Sequence, residues 1–375
     1  MSHIEEYKCP ACGGAMEFDS NSQQMSCPYC DTKMSVEEFE VLAASQNTEE
    51  STNMTSQNGA ENQQDSVNWQ SANEATWEAG ETDGMRIYQC ESCGGEIIAE
   101  ETSGATTCPY CDNRIVMKGQ FSGDLKPDYI IPFKLNKKDA KAAYFEHLKD
   151  KIFLPRVFKA QNHIDEIKGI YVPFWLFDVD CQAQITYDCE RVRRWRSGDT
   201  EYTETDYFLC EREGCLSFDH IPTDASAKMA DDLMESVEPY NFTDAIPFKA
   251  AYLAGYLADR YDVNMEERFN RAKERVTASC EDEFRRTVEG YTSVGVNTSS
   301  VTVNDAKYFY SLYPVWILNT SWNGKNYLFA MNGQTGKIVG DLPVDKSLFY
   351  KYIGIRGSIF SVGLIALTML IHFFL

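Results

Sequence analysis

Positive charge is scarce in this 375-residue sequence: 35 Lys and Arg stand against 57 Asp and Glu, a formal net charge of -22. The deficit is concentrated at the N-terminal end, where residues 1–118 carry 5 basic and 21 acidic side chains, against 30 and 36 in residues 119–375. Phosphate contact needs Lys and Arg, so this acidic third argues against a nucleic-acid surface there. The opening MSHIEEYKCP has no basic cluster and no apolar run. No secretory signal is therefore expected, and the 13 cysteines are expected in a reducing compartment, as metal ligands or free thiols rather than disulfides. A phosphate loop of the form GxxxxGK[ST] is missing too. Gly324-Lys325 continues to Asn326 and Gly336-Lys337 to Ile338, so neither supplies the magnesium-binding hydroxyl, and Asn332–Gly340 reads as a β-turn between strands. His147, His163 and His220 are isolated and no Cys-His or Ser-His-Asp pattern is evident, so no catalytic residue is nominated and a non-enzymatic protein is expected. Residues 45–84 contain eight acids but no Lys, Arg, Leu, Ile or Phe. Such a stretch cannot bury enough apolar surface to offset its ordering entropy, and residues 41–84 read as a disordered acidic linker. Trp69 and Trp77 within it are either incidental or a short docking motif.

What the sequence does have is one cysteine device used twice. Cys9, Cys12, Cys27 and Cys30, then Cys90, Cys93, Cys108 and Cys111, each follow C-x2-C-x14-C-x2-C. A two-residue gap lets one tight knuckle present two thiolates to one ion, and two facing knuckles complete a tetrahedron. Gly13 and Gly94 follow the second thiol, where positive φ turns backbone amides toward sulfur; Asp31 and Asp112 tolerate the left-handed region in the other knuckle. Two structural Zn2+ ions are expected, with iron in the same S4 cage or a dithiol redox pair as alternatives. With four thiolates no coordination place stays open, and each ion would add roughly two negative charges while holding a small β module together.

The remainder reads as an α+β body, residues 119–346. Asn136 can cap a helix running to about Phe153, with Tyr144, Leu148 and Ile152 at four-residue spacing. After Asn264, the stripe Met265, Phe269, Ala272, Val276, Cys280, Phe284 and Val288 stops at Gly290, with Glu267 and Arg271 placed to pair. Strands are expected at Gln184–Tyr187 and Tyr202–Leu209 across a turn near Ser197-Gly198, and at Tyr308–Thr320 and Tyr327–Met331 across Asn323-Gly324. Tyr171-Val172-Pro173-Phe174-Trp175-Leu176 and Tyr313-Pro314-Val315-Trp316-Ile317-Leu318 look alike, which suggests two related α+β halves. Residues 358–375 hold no Asp, Glu, Lys or Arg. As a helix they would extend about 27 Å, close to a bilayer core, so residues 347–375 are expected to be a C-terminal transmembrane anchor; a buried core helix is the alternative. Lys346, Lys351 and Arg356, just before the uncharged stretch that begins at Ser358, place the body and N-terminus on the cytoplasmic side of the cell membrane in a single-pass topology. His372 would sit at the far interface. The expected organisation is thus zinc ribbon 1 (residues 1–40), linker (41–84), zinc ribbon 2 (85–118), body and anchor.

Arg191, Arg193, Arg194 and Arg196 surround Trp195 on an arm of the first expected hairpin. They form either a solvated strand face paired with Glu201, Glu204 and Asp206, or a patch for anionic lipid or nucleic acid. Cys181, Cys189, Cys210, Cys215 and Cys280 read as ordinary thiols, with a third metal site at Cys189 and Cys210 as the alternative.

The cysteine units resemble zinc ribbons of the transcription-factor-IIB type and, less specifically, the cysteine module of replication-restart helicases. The wider layout, with Ile130-Ile131-Pro132-Phe133, Tyr171-Val172-Pro173-Phe174-Trp175, Met331-Asn332-Gly333-Gln334-Thr335-Gly336-Lys337 and the late apolar segment, resembles a bacterial family of zinc-ribbon membrane proteins. That resemblance implies association with membrane-organising proteins of the SPFH (flotillin-like) and phage-shock PspA types. The expected function is a membrane-anchored zinc-ribbon adaptor for protein partners, two linked weak binders gaining avidity. The alternative is a nucleic-acid-binding zinc-ribbon protein without its own motor.

Overall fold

The computed structural model describes residues 8–45, 68–71, 77, 82, 85–90, 92–100, 108–110, 115–120, 125–160, 164 and 166–374. The first cysteine segment forms a small antiparallel sheet of β1 (Glu17–Asp19), β2 (Gln24–Ser26) and β3 (Lys33–Met34), followed by α1 (Val36–Ser45). Next come β4 (Asn68–Ser71), β5 (Met85–Cys90), β6 (Glu96–Glu100), β7 (Ile115–Gln120) and β8 (Tyr129–Ile130). Helix α2 (Lys137–Leu148) leads to two very long strands, β9 (Lys168–Ser197) and β10 (Thr200–Asp224). Helix α3 (Asp231–Val237), β11 (Ile246–Pro247), β12 (Leu257–Asp259) and α4 (Met265–Arg286) follow. The chain closes with β13 (Ser293–Trp322), β14 (Lys325–Asn332), β15 (Ile338–Gly340) and α5 (Lys346–Phe374).

The expected strands lie inside much longer ones, because the burial pattern changes character along β9. Residues 170–177 are buried without interruption, as in a strand covered on both faces. From Asp178 burial alternates: Val179, Cys181, Ala183, Ile185, Tyr187 and Cys189 point inward while Asp180, Gln182, Gln184 and Asp188 face solvent. The inward row is covered by α4 through Phe269, Ala272, Val276 and Cys280, with Phe269 packed 5.5 Å from Phe177. A 22-residue helix spans roughly 33 Å and can cover only about ten strand residues. Past Cys189 the β9–β10 hairpin therefore projects as a free arm, turning at Gly198 with φ +63.

Elements recur in pairs along the body. β9 and β13 run antiparallel over almost their whole length, and each continues into a hairpin partner, β10 and β14. The second hairpin turns at Asn323 and Gly324, both at positive φ. A helix precedes each long strand, and Ile-Pro-Phe-Lys precedes each helix, once at residues 131–134 and once at 246–249. The short strands associated with these two tetrapeptides, β8 and β11, pair with each other.

Several expectations are corrected. The first predicted helix stops at Leu148, with Asn136 Oδ1 accepting from the Asp139 amide at 2.8 Å. The chain leaves the helix there to bring Leu154 and Phe158 into the core, so Ile152 is exposed instead of continuing the stripe. Arg271 does not reach for Glu267; its guanidinium grips Glu235 at 2.7 and 2.9 Å and Glu274 at 2.8 Å. With Arg268 on Asp224 and Asp231 and Arg275 on Glu238, one face of α4 carries a ladder of arginines that holds the α3 segment. The acidic linker is not uniformly structureless: β4 adds in parallel to β13 at Asp305–Tyr308, and the Trp77 ring meets Phe248 edge-on at 5.7 Å. Strand hydrogen bonds and one large aromatic supply the ordering free energy that its composition lacks. As expected, Asn332–Gly340 is a turn between strands, β14 and β15, and it has a structural task. Asn332 Nδ2 donates to the carbonyls of Val237 and Pro239, and Gln334 holds Asn241. A Cβ on Gly333 would lie 2.7 Å from the Phe133 ring, so glycine is what lets the turn close on the core.

Helix α5 projects from the body, with none of its apolar window buried, and is long and apolar enough to cross a membrane. Its first turn is capped by Asp345, whose Oδ1 accepts from the Ser347 and Leu348 amides. Phe153 packs edge-on against Phe349 and Tyr352 at its foot.

Candidate metal centres

In the first unit the Cys9 amide donates to Gly14 O at 2.7 Å and the Gly13 amide to Cys9 O at 2.8 Å, closing a knuckle that needs φ +73 at Gly13. The facing knuckle repeats this with the Cys27 amide on Thr32 O and the Asp31 amide on Cys27 O, Asp31 at φ +56. Cys9 and Cys27 are buried while Cys12 and Cys30 face solvent. The four Sγ atoms lie within 4.8 Å of one another, with Cys9–Cys30 and Cys12–Cys27 both at 3.5 Å. A tetrahedron with metal–sulfur bonds of about 2.3 Å requires sulfur separations of about 3.8 Å. The set fits a tetrathiolate ion. Burial opposes ionisation of Cys9, yet the amides of Ala11 and Cys12, with Cys30 and Thr32, bring it down to about 6. The amide of Gly14 favours the Cys12 thiolate, but the neighbouring Cys30 and Cys27 outweigh it and push that thiol up to about 12. A bound cation would relieve that crowding of negative charge.

The second unit has the same knuckle, with the Cys90 amide on Gly95 O and the Gly94 amide on Cys90 O, both at 2.9 Å, and Gly94 at φ +72. Cys90, Cys93 and Cys108 come together, Cys93 and Cys108 at 3.6 Å; Cys111 and Asp112 lie outside the described residues.

The two units differ in how they meet the body. In the first, Tyr29 is 75% exposed. Its counterpart Tyr110 is 8% exposed, set beside the buried Asp259. Burial raises the Asp259 carboxyl to about 7, against the opposing effect of the Ser226 hydroxyl, 2.6 Å from Oδ2, and of the Tyr110 hydroxyl. Strand β6 pairs with β12 at Ile97 and Ile98, which makes the second unit part of the large sheet. Arg260 pairs with Glu96 at 2.9 Å, and Lys168 donates to Cys108 O at 3.2 Å. Lys228, held 3.0 Å from Asp262, senses the charge of Cys93 and places a cation near the thiols. The first unit rests on the preceding stretch: the Phe18 amide donates to Ala254 O, Phe18 meets Tyr252 at 5.0 Å, and Lys249 pairs with Glu40 at 2.8 Å. None of Tyr110, Ser226, Lys228 or Asp259 could be singled out from sequence, because their only common signal is proximity in the fold.

The arginine patch divides. Strand alternation puts Arg191, Arg193 and Trp195 on one face of the arm and Arg194 and Arg196 on the other. Arg193 pairs with Asp206 at 2.9 Å, Trp195 stacks on Tyr202 at 5.6 Å, and Arg191 lies over the rings of Phe208 and Tyr291. Of the other thiols, Cys181 and Cys280 meet at 3.6 Å between β9 and α4, and burial pushes Cys280 up to about 12 and Cys189 to about 11. Among the described residues no third group of three or more metal-ligating side chains forms. His220 is stacked on Phe242 at 3.8 Å, and His163 lies outside the described residues.

Over 370 residues the chain is 34% identical to the uncharacterized protein YdjG of Bacillus subtilis (strain 168), an alignment covering 98% of each chain. No family model and no solved structure matches it.

Proposed function

Since the chain belongs to the same family as Bacillus subtilis YdjG and matches it end to end, we propose that the whole protein is a membrane-anchored zinc-ribbon adaptor. Each cysteine set takes one Zn2+ as a structural ion: Cys9, Cys12, Cys27 and Cys30 hold the first, and Cys90, Cys93, Cys108 and Cys111 the second. The tetrathiolate chemistry supports zinc over the harder, oxygen-seeking cations. Helix α5 anchors the chain in the cell membrane in a single pass, with body and N-terminus cytoplasmic. The reading rests chiefly on one observation: an apolar helix with no buried residue in its Lys346–Ile365 window stands on a body that presents closed thiol knuckles, with Tyr29 projecting beside the first. Protein partners, among them the flotillin-like and phage-shock types that the resemblance implies, would bind the exposed knuckles.

A second reading, nucleic-acid binding, draws on the arm, where Trp195 stacked on Tyr202 and four arginines offer ring and guanidinium faces. One experiment separates the two. The tagged full-length protein is captured from detergent-solubilised membranes with and without nuclease, and its companions are identified by mass spectrometry. Membrane-organising proteins that survive nuclease and vanish with Cys90→Ser/Cys93→Ser are expected. A nuclease-sensitive set lost with Arg194→Glu would overturn the adaptor.

A further inference from the structure

Residues 134–160 carry eight Lys and Arg and three Asp and Glu, a net +5 in a chain of -22. The helix inside this segment sorts its charges. Ala140, Tyr144 and Leu148 face the core. At 100° per residue, Lys138, Lys141 and Phe145 fall on one flank of α2, which the helical cap residue Lys149 continues, and Asp139 and Glu146 on the other. Phe145 is 37% exposed among these lysines, and Ile152, one turn past the helix end, is 57% exposed. Lys149 pairs with Glu146 at 3.2 Å, and because both side chains are exposed the pair is weak and easily exchanged.

The position of this flank relative to α5 gives the stripe its meaning. Ile152 is followed by Phe153, whose ring touches Phe349 and Tyr352, and whose carbonyl accepts from the Asp345 amide at 2.8 Å. The end of the lysine stripe therefore sits at the foot of the apolar helix. Tyr352 carries Arg356 over its ring there, the aromatic-and-basic pairing of a membrane interface.

We propose that the Lys138–Lys141–Phe145 flank of α2, with Lys149 and Ile152 just past its end, is a docking face for an anionic phospholipid leaflet, which lays the body against the membrane in one orientation. The proposal rests on the reading of α5 as a membrane anchor. Lysines near an anionic leaflet gain about fivefold in residence each, and the two apolar side chains would enter the headgroup boundary. An acidic protein would otherwise be held away from such a leaflet by its own charge; this flank is where the repulsion is locally reversed.

The test uses the full-length chain in nanodiscs of phosphatidylcholine, with or without about one third phosphatidylglycerol. Hydrogen exchange is read over residues 137–153, with α4 as the internal control. Exchange at least several-fold slower in the phosphatidylglycerol discs is expected. The difference should vanish in Lys138→Glu/Lys141→Glu/Lys149→Glu and shrink in Phe145→Ser, while α4 stays unchanged and so reports an intact fold. Equal exchange in both discs, slowing that survives the triple substitution, or the same slowing from inorganic phosphate added to neutral discs overturns the proposal. Flotation with neutral vesicles tests the anchor separately: a chain that fails to float there loses both the anchor and this face.

Discussion

Asp259 offers a quantitative check on how the second cysteine unit is seated. Its carboxyl is buried, with Oδ1 accepting from the Arg260 amide at 3.0 Å and Oδ2 from the Ser226 hydroxyl at 2.6 Å. The groups facing it are Asp262, whose charge disfavours a second carboxylate, and the Tyr110 hydroxyl, which favours one but is outweighed by burial, while the Arg260 guanidinium is turned away to Glu96. Burial raises the group from 3.8 to about 7, so the folded chain keeps a proton that the unfolded chain releases above about pH 4. Between those limits the unfolded state binds fewer protons, and stability falls as pH rises. The contribution is complete below about pH 4 and gone once pH has passed about 7. At about 1.4 kcal/mol per pH unit the loss is roughly 4 kcal/mol.

Asp259→Asn copies the neutral form: its amide oxygen can still accept from the Arg260 amide, and its nitrogen can donate to Ser226 Oγ once that hydroxyl, which now donates to Oδ2, rotates. The variant should match the wild type below about pH 4, lead it by about 1.5 kcal/mol at pH 5 and by roughly 4 kcal/mol at pH 8. Thermal unfolding of both full-length proteins in detergent, followed from pH 5 to 8, reads this as a difference between two curves. Slopes common to both, from Asp224 (raised to about 6 by burial) or from proton competition at the thiols, cancel in that difference. Parallel curves would refute the reasoning, because they would mean that Asp259 is not sealed under Tyr110 by the second unit.

Metal analysis should find two zinc ions per chain, falling to one in either Cys9→Ser/Cys12→Ser or Cys90→Ser/Cys93→Ser; loss of both ions from a single pair would contradict independent sites. Phe269→Ala removes the ring that packs on Phe177 and should lower stability by about 3–5 kcal/mol in denaturant titrations, without change in metal content. Arg275→Leu leaves the Glu238 carboxylate, gripped at 2.6 and 2.9 Å, without its partner in a largely buried place, and should cost about 3 kcal/mol. Trp195→Ala, at the exposed arm, should shift unfolding by less than about 1 kcal/mol, so that any effect on captured partners reports on binding.

Local chemistry was legible in the sequence where a residue's task is set by its immediate neighbours. The knuckles at Cys9-x-x-Cys12-Gly13 and Cys90-x-x-Cys93-Gly94, the Asn136 cap, the stripe of α4 and the Asn323-Gly324 turn are all of this kind. Strand length was not, because β9 is extended by partners more than a hundred residues away: Cys189 aligns with Val294 and Lys168 with Ile317. The turn signal at Ser197-Gly198 was read correctly, but nothing local shows that the strands on either side reach back to Lys168 and forward to Asp224. The Arg271 partner was misjudged for a related reason. A pair at i,i+4 is worth only a few tenths of a kcal/mol, and a bidentate grip on Glu235 across the α3–α4 boundary outcompetes it. The linker expectation failed at β4 and Trp77 because composition measures what a segment can bury by itself, not what a waiting sheet edge and Phe248 offer it.

The seating of the cysteine units also changes what their repetition can do. Two modules on a free tether would raise avidity through effective concentration, which varies with linker length and tolerates many partner spacings. Here both rest on the segment between β11 and α4: Lys249, Tyr252 and Ala254 receive the first unit, while Ala258, Asp259 and Arg260 receive the second. Units seated this way stand at a fixed separation, and simultaneous engagement becomes a matter of geometric match, all or none. A partner that presents its binding sites at one repeated spacing would be retained strongly and one with variable spacing weakly. Lengthening the 41–84 linker should then leave partner capture unchanged, whereas Lys249→Glu, which sets a like charge against Glu40, should weaken it by freeing the first unit from its seat.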